Sequence, residues 1–435
     1  MRLNKISLAC LTLCGSALMV ACGGGSSSAP PATTQQIQAP TMQGAIVNSY
    51  IAKAVVTLDF NDDGVCGATE PKVVSGDKGE YAFPGLGDHA VCSSGGVNTA
   101  TGLSFVGELK GPKGGGPITP LTTLVVAVLG NNPNQTLEQI AATKSRIETQ
   151  LGLPAGSINL DPVAALATNP KLEQTNAAIQ VMMRTITNSV IALAGVDARS
   201  NTPAIQNQVF TDAARAIART LATPGSPIVD LTSAASSDGI SNFVRLSVIQ
   251  TVVNVKAALT SSELKAEAFA TLETLSPENA AAFATSNIST LVQNTAQATP
   301  TAAGIAAAQL KSLSSTTLVN AIETIASTAP ALFSTANTAT TAQVAALAAI
   351  VSPSASVVAS SPVIITNTAL LSAAVDAATS PNIPVNLVAV TQILRDAIDS
   401  PPPGPAVLSV ASFPAPVVAP LPPPIVTTRP VTGGG

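Results

Sequence analysis

The sequence predicts a multidomain chain: a small antiparallel β-sandwich, then a large all-α helical array, then a disordered Pro-rich tail. Three observations carry this reading. Residues 43–111 alternate apolar and polar side chains between turn signals rich in Gly, Asp, Asn and Ser. Residues 117–400 switch to helical spacing in an Ala-, Thr-, Ser- and Leu-rich background with short breaks. Eleven of residues 401–435 are proline, which suits extended polyproline-like coil and excludes helix or central strand.

At the N-terminus, Arg2 and Lys5 precede an apolar stretch over 6–20 and then MVACGGGSSS. A basic segment, a short apolar core and small residues before a cysteine describe a secretory signal rather than a membrane span. The tetrad Met19-Val20-Ala21-Cys22 resembles the lipobox of bacterial lipoproteins, with Met where that family usually has Leu. The resemblance implies a signal peptide over 1–21 that is removed, and fatty acylation of Cys22, so that a membrane is one partner. Gly23 follows the cysteine where the family's sorting habit would place Asp for inner-membrane retention, which implies the outer membrane with its face left open. The alternative is an ordinary secretory signal that contains Cys22 incidentally. Residues 22–42, rich in Gly, Ser, Pro, Thr and Gln, read as a flexible tether.

Removing 21 of 435 residues leaves 414, enough for two or three domains. It also takes Arg2 and Lys5 from the 20 basic residues, leaving 18 against 24 acidic and a net charge of −6. No basic cluster is interleaved with aromatics, so a nucleic-acid partner is not expected. Aromatic content is 3% with no Trp, so the core must be built from Ala, Val, Leu and Ile. Once Cys10 and Cys14 leave with the signal and Cys22 carries lipid, Cys66 and Cys92 remain. An even pair in an exported chain predicts a disulfide, which in the chain-entropy model stabilises by roughly 3–4 kcal/mol for a loop of this length.

Within the sandwich, residues 54–60 form the first clear strand, with Ala54, Val56, Leu58 and Phe60 on one face at period two. Lys72-Val73-Val74 gives a second, then the turn SGDKG, then Glu80-Tyr81-Ala82-Phe83 with both rings on one face. Residues 103–109 read as a further strand, and the run GPKGGG over 111–116 as a linker. Between the first two strands lies DFNDDGVCGATE, residues 59–70. It matches the twelve-residue calcium-loop pattern D-x-[DN]-x-[DN]-G-x5-E throughout. Ca²⁺ takes six to eight hard oxygens, and alternate residues of a tight loop aim side chains at one point. Asp59, Asn61 and Asp63 are the first three candidate ligands, the Val65 carbonyl the next, and Glu70 closes the site. Gly64 permits the sharp turn. Pro71 directly after Glu70 excludes an exiting helix, and the entering segment is a strand, so an EF-hand is excluded. The competing reading is a solvated acidic turn with no ion.

Together, IAKAVVTLDFNDDGVCGATEP and SGDKGEYAF resemble bacterial carboxypeptidase-regulatory-like and serine-aspartate-repeat B-type modules. In those families a strand enters an Asp/Asn calcium loop and a D-x-x-G-x-Y-x-F strand follows, which Asp77, Gly79, Tyr81 and Phe83 match. The resemblance implies an immunoglobulin- or transthyretin-like sandwich with structural Ca²⁺, used in stalks, adhesins and accessory domains. ITPLTTLV resembles a segment that follows such modules and opens an uncharacterised all-α region.

Helical spacing runs over 121–129, 136–151, 172–194, 202–221, 240–259, 261–275 and 317–326, and Ser276-Pro277-Glu278 starts another helix. Residues 324–375 carry no charge, yet Ser, Thr, Asn and Pro interrupt every apolar run short of a membrane span. A sparsely charged packing segment is therefore expected there.

Signatures of catalysis are lacking. His89 is the single histidine and reads as an ordinary turn residue. Glu263 and Glu267 share a helix face but read as solvated, and no nucleophile-elbow, zincin, Walker or dinucleotide motif occurs. The expected function is a non-catalytic, lipid-anchored envelope or surface lipoprotein serving adhesion, surface display or envelope structure. The alternative is a binding module for a glycan, peptidoglycan or another envelope protein.

Overall fold

In the computed structural model, residues 41–130, 135–196, 202–260, 262–313 and 334 are described. The signal, Cys22, the tether, the expected helix over 317–326, most of the uncharged run and the Pro-rich tail lie outside the described residues.

Among the described residues eight short strands come first: β1 Met42–Ala45, β2 Ile51–Ala52, β3 Val55–Asp59, β4 Lys72–Val74, β5 Glu80–Phe83, β6 Ala90–Ser94, β7 Val97–Asn98 and β8 Glu108–Gly111. They form one four-stranded sheet in the order β4-β3-β6-β8 and two two-stranded pairs, β1-β5 and β2-β7, every pair antiparallel. The period-two face of β3 holds through Ala54, Val56 and Leu58, all fully buried, and fails at Phe60, which is half exposed because the chain has already turned. Tyr81 and Phe83 share a buried face as their spacing predicts, in an edge-to-face pair.

The strand expected over 103–109 begins only at Glu108, because a turn consumes the residues before it. Asn98 Oδ1 accepts from the amides of Ala100 and Thr101, and Gly102 N donates to the Asn98 carbonyl. Strand β6 escapes sequence reading because AVCSS does not alternate: its middle three residues are buried on both faces.

Among the described residues eight α-helices follow: α1 Pro120–Leu129, α2 Leu137–Gln150, α3 Pro170–Leu193, α4 Pro203–Ala222, α5 Ser237–Ala258, α6 Ala266–Thr274, α7 Pro277–Ala296 and α8 Ala302–Leu313. Thr119 and Thr136 start α1 and α2 with reciprocal capping boxes through Thr122 and Gln139. Pro sits in the first turn of α1, α3, α4 and α7, where its missing N–H costs nothing. Glu263 lies in the turn before α6 and not on a helix face with Glu267, because its carboxylate closes that turn by accepting from Thr260 N and Oγ1. Among the described residues no helix is long and apolar enough to cross a membrane.

Sheet and helices share one hydrophobic core that runs from Met42 to Ala296. The run 112–116 leads straight back beside β1: Ile118 N donates to the Ala45 carbonyl, and Val47 N to that of Ile118. Gly44 is required there, since a Cβ would lie 2.1 Å from the Gly116 carbonyl oxygen. At the other end, Gly107 lies against the ring of Phe210 from α4, 2.6 Å from where its Cβ would be, and Phe105 meets the same ring edge-on at 6.2 Å. The free edge of β8 is closed by α1. Lys110 N donates to Thr123 Oγ1, and Thr122 Oγ1 donates to the Lys110 carbonyl, both at 2.9 Å.

Candidate metal centre

The acidic loop leaves the sheet at the last residue of β3. Asp59 is 3% exposed, and its two oxygens accept from the amides of Asp63 (3.1 Å) and Gly64 (2.9 Å). Asp63 Oδ1 accepts from Val65 N at 2.8 Å, and Asn61 Oδ1 from Asp63 N at 3.2 Å. Asn61 Nδ2 donates to Asp63 Oδ2 at 2.9 Å. Glu70 reaches back across the loop: Oε1 accepts from Phe60 N (3.0 Å) and Oε2 from Gly67 N (2.6 Å). Side chains at positions 1, 3, 5 and 12 thus fold onto the loop's own backbone, and Asp62 (φ 57°) and Gly64 (φ 80°) supply the left-handed turns.

Burial raises the Asp59 carboxyl above its ordinary value, and repulsion from Glu70 and Asp63 adds to this against the amides of Gly64 and Asp63. Asp59 is therefore close enough to feel the charges of both Glu70 and Asp63. The donor set, hard oxygens from Asp59, Asn61, Asp63 and Glu70 with the Val65 carbonyl in the same loop, fits Ca²⁺ in chemical type. With the carboxylates engaged by loop amides, no three acidic, His or Cys side chains are gathered into a ligand cluster among the described residues.

The loop is also tied down elsewhere. Cys66 and Cys92 are disulfide-bonded, joining the loop to β6 with their Cα atoms 6.1 Å apart. Asp62, whose side chain is not among the expected ligands, holds His89 Nδ1 at 3.1 Å and Lys113 Nζ at 2.9 Å. Desolvation opposes ionisation of Asp62, but Lys113 and His89 outweigh it and hold the carboxyl below the usual range. His89, read from sequence as a plain turn residue, is part-buried and packs 5.1 Å from the Phe60 ring. Lys110 Nζ lies 3.5 Å from the Gly64 carbonyl. The Asp62 partners are invisible to a local motif because they sit 27 and 51 positions downstream.

A second acidic centre, which belongs to no sequence motif, lies where the sheet meets the helices. Glu173, in the first turn of α3, is 2% exposed and accepts from Ser49 Oγ at 3.1 Å. The sequence signal for it is weak, since a single Glu in a helical first turn is what any helix favours.

No protein-family model, curated protein or solved structure matches the chain.

Proposed function

We propose that the chain is a non-catalytic envelope or surface lipoprotein, anchored to the outer membrane through lipid on Cys22, with a structural Ca²⁺ loop. Its role on this reading is adhesion, surface display or envelope structure. The observation that carries the structural part is how the loop is held. Cys66, Asp62 and Gly64 tie it to β6, His89, Lys113 and Lys110 from positions whose side chains are not ligands. A sensor loop needs two arrangements to choose between, whereas this loop is fastened on several sides and suits a brace. Asp59, Asn61, Asp63 and Glu70 would hold the ion with the Val65 carbonyl. When bound, Ca²⁺ supplies the positive charge that offsets repulsion among the three carboxylates. The small antiparallel strands with this loop support the finer reading of an immunoglobulin- or transthyretin-like module. The anchor rests on MVAC after the apolar stretch.

Two measurements test this. Millimolar Ca²⁺ raises the melting temperature by several degrees in the wild type, and both EGTA and the pair Asp59→Ala, Asp63→Ala remove the rise. Identical melting curves in all conditions would exclude the brace. Cys22→Ser releases the protein from the membrane fraction, and its retention there would exclude the lipid anchor. Retention of purified protein on a murein or polysaccharide resin would favour a binding module instead.

A further inference from the structure

The turn over 47–50 is built from residues that resist its shape. Ser49 (φ 55°) and Tyr50 (φ 57°) both take left-handed backbone, which L-residues with a Cβ rarely adopt. Distant elements hold them there. The Asn48 carbonyl accepts from Asn98 Nδ2 (2.5 Å) and Asn48 Oδ1 from Gln309 Nε2 of α8 (2.8 Å). Thr99 Oγ1 donates to the Ser49 carbonyl (2.9 Å), and Tyr50 OH donates to Asp161 Oδ2 (3.0 Å). From α3, Asn176 Nδ2 spans the Val47 carbonyl (3.3 Å) and Glu173 Oε2 (3.4 Å), while Glu173 Oε1 takes the Ser49 hydroxyl.

This network is short of hydrogens. Asn176 Oδ1 and Gln309 Oε1 are buried without a donor. The charged or titratable groups facing Glu173 are Asp161, itself acidic, and Tyr50, whose hydroxyl is already given to Asp161. On its own helix, Lys171 is committed to Asp230, and α8 presents the neutral Gln309. An ionised Glu173 is thus a buried negative charge beside a second one, with the Ser49 hydroxyl, the Ser49 backbone amide and the Asn176 side-chain amide as its donors and no cation among the groups of the described residues that act on it. Such a charge is costly unless it is paired.

We propose that Glu173 and the 47–50 turn form a proton-operated latch between the sheet and the helices, closed while Glu173 is protonated and loosened when it ionises. Burial pushes the Glu173 carboxyl up to about 7, with the Ser49 and Asn176 hydrogen bonds holding it down and Asp161 adding repulsion. The unfolded chain gives up this proton near the ordinary value of 4.5, whereas the folded chain keeps it to about 7. The stability it confers is therefore complete below pH 4.5, falls as pH rises to about 7, and then levels. Across that window the folded-to-unfolded ratio falls on the order of 10²-fold from this group.

The test uses the full-length chain. Amide exchange, corrected for intrinsic rates, is measured at pH 5.5 and 8 over 46–53 and the first turns of α3. In the wild type protection there drops at least tenfold at pH 8, and Glu173→Gln, which mimics the protonated acid, abolishes the drop. An equal drop in the variant overturns the latch. Should Glu173→Gln not fold, the carboxyl carbon resonance of Glu173 in the wild type decides instead. A midpoint above pH 6 supports the proposal, and one at or below pH 6 overturns it.

Discussion

The two acidic centres use the same functional group in opposite ways. In the 59–70 loop, Asp59, Asp63 and Glu70 take their hydrogen bonds from backbone amides at most ten residues away. At the seam, Glu173 takes one hydrogen bond from its neighbour Asn176 but another from a hydroxyl 124 residues away, and Gln309 reaches Asn48 across 261. The first centre can be assembled by a peptide-length piece of chain at modest entropic cost. The second exists only when sheet and helices are both folded and docked. A local cluster of charge therefore reports on an ion or a corner, whereas a long-range buried charge reports on the integrity of the whole unit.

The largest expected effect sharpens that contrast from the long-range side. Phe210 of α4 is 1% exposed and fills the space over Gly107 and beside Phe105, so it joins the helices to the end of the sheet. Phe210→Ala should destabilise by about 3–5 kcal/mol through lost burial and the cavity left behind. The loss should appear as one cooperative shift in both far-ultraviolet dichroism and tyrosine fluorescence, because one core serves both layers. Two separated transitions would mean that sheet and helices fold independently.

The disulfide probes the local side. Replacing Cys66 and Cys92 together by Ser reopens a crosslink between residues 26 positions apart, at a cost of about 2–4 kcal/mol. The comparison predicts where the damage falls. Hydrogen exchange should rise over 59–70 and β6 while the seam at 47–50 keeps its protection at pH 5.5. Loss of protection at both places would show the loop and the seam to be one cooperative piece. Reduction of the wild type should reproduce the double substitution.

Legibility in the sequence follows the same division. The strand before the acidic loop, the Tyr81 and Phe83 face and the Cys66–Cys92 pairing are each written in spacing or in parity, and the structure places them accordingly. Six of the helices were marked by periodicity and caps, and Ser276 with Pro277 marked the start of α7. What spacing does not encode is which remote side chain meets which. Nothing local distinguishes Glu173 from the exposed Glu138 in the first turn of α2, although the first is buried against Ser49. Strand β6 and helix α8 were missed for a related reason. AVCSS is covered on both faces, and the Ala-rich α8 has too little polar contrast to show which side it buries.

The smallest effect expected concerns Asp62, which separates anchoring of the loop from ion binding within it. Its carboxyl lies below the usual range because Lys113 and His89 outweigh desolvation. For a depressed acid the sign runs opposite to that of Glu173. The stabilisation is present above the ordinary Asp value of 3.8 and is lost as pH falls through the lowered folded-state value. Asp62→Asn should therefore lower the melting temperature slightly at pH 7 and leave it unchanged in strong acid, which flattens the acid limb of the stability profile. The group is about a quarter exposed, so solvent screens the pair and the shift should be a degree or two at most. The Ca²⁺-dependent rise should survive, since the Asp62 side chain is not a proposed ligand. If Asp62→Asn abolishes that rise while Asp63→Ala leaves it intact, the ion sits on the Asp62, His89 and Lys113 side of the loop, and the ligand assignment must be redrawn around it.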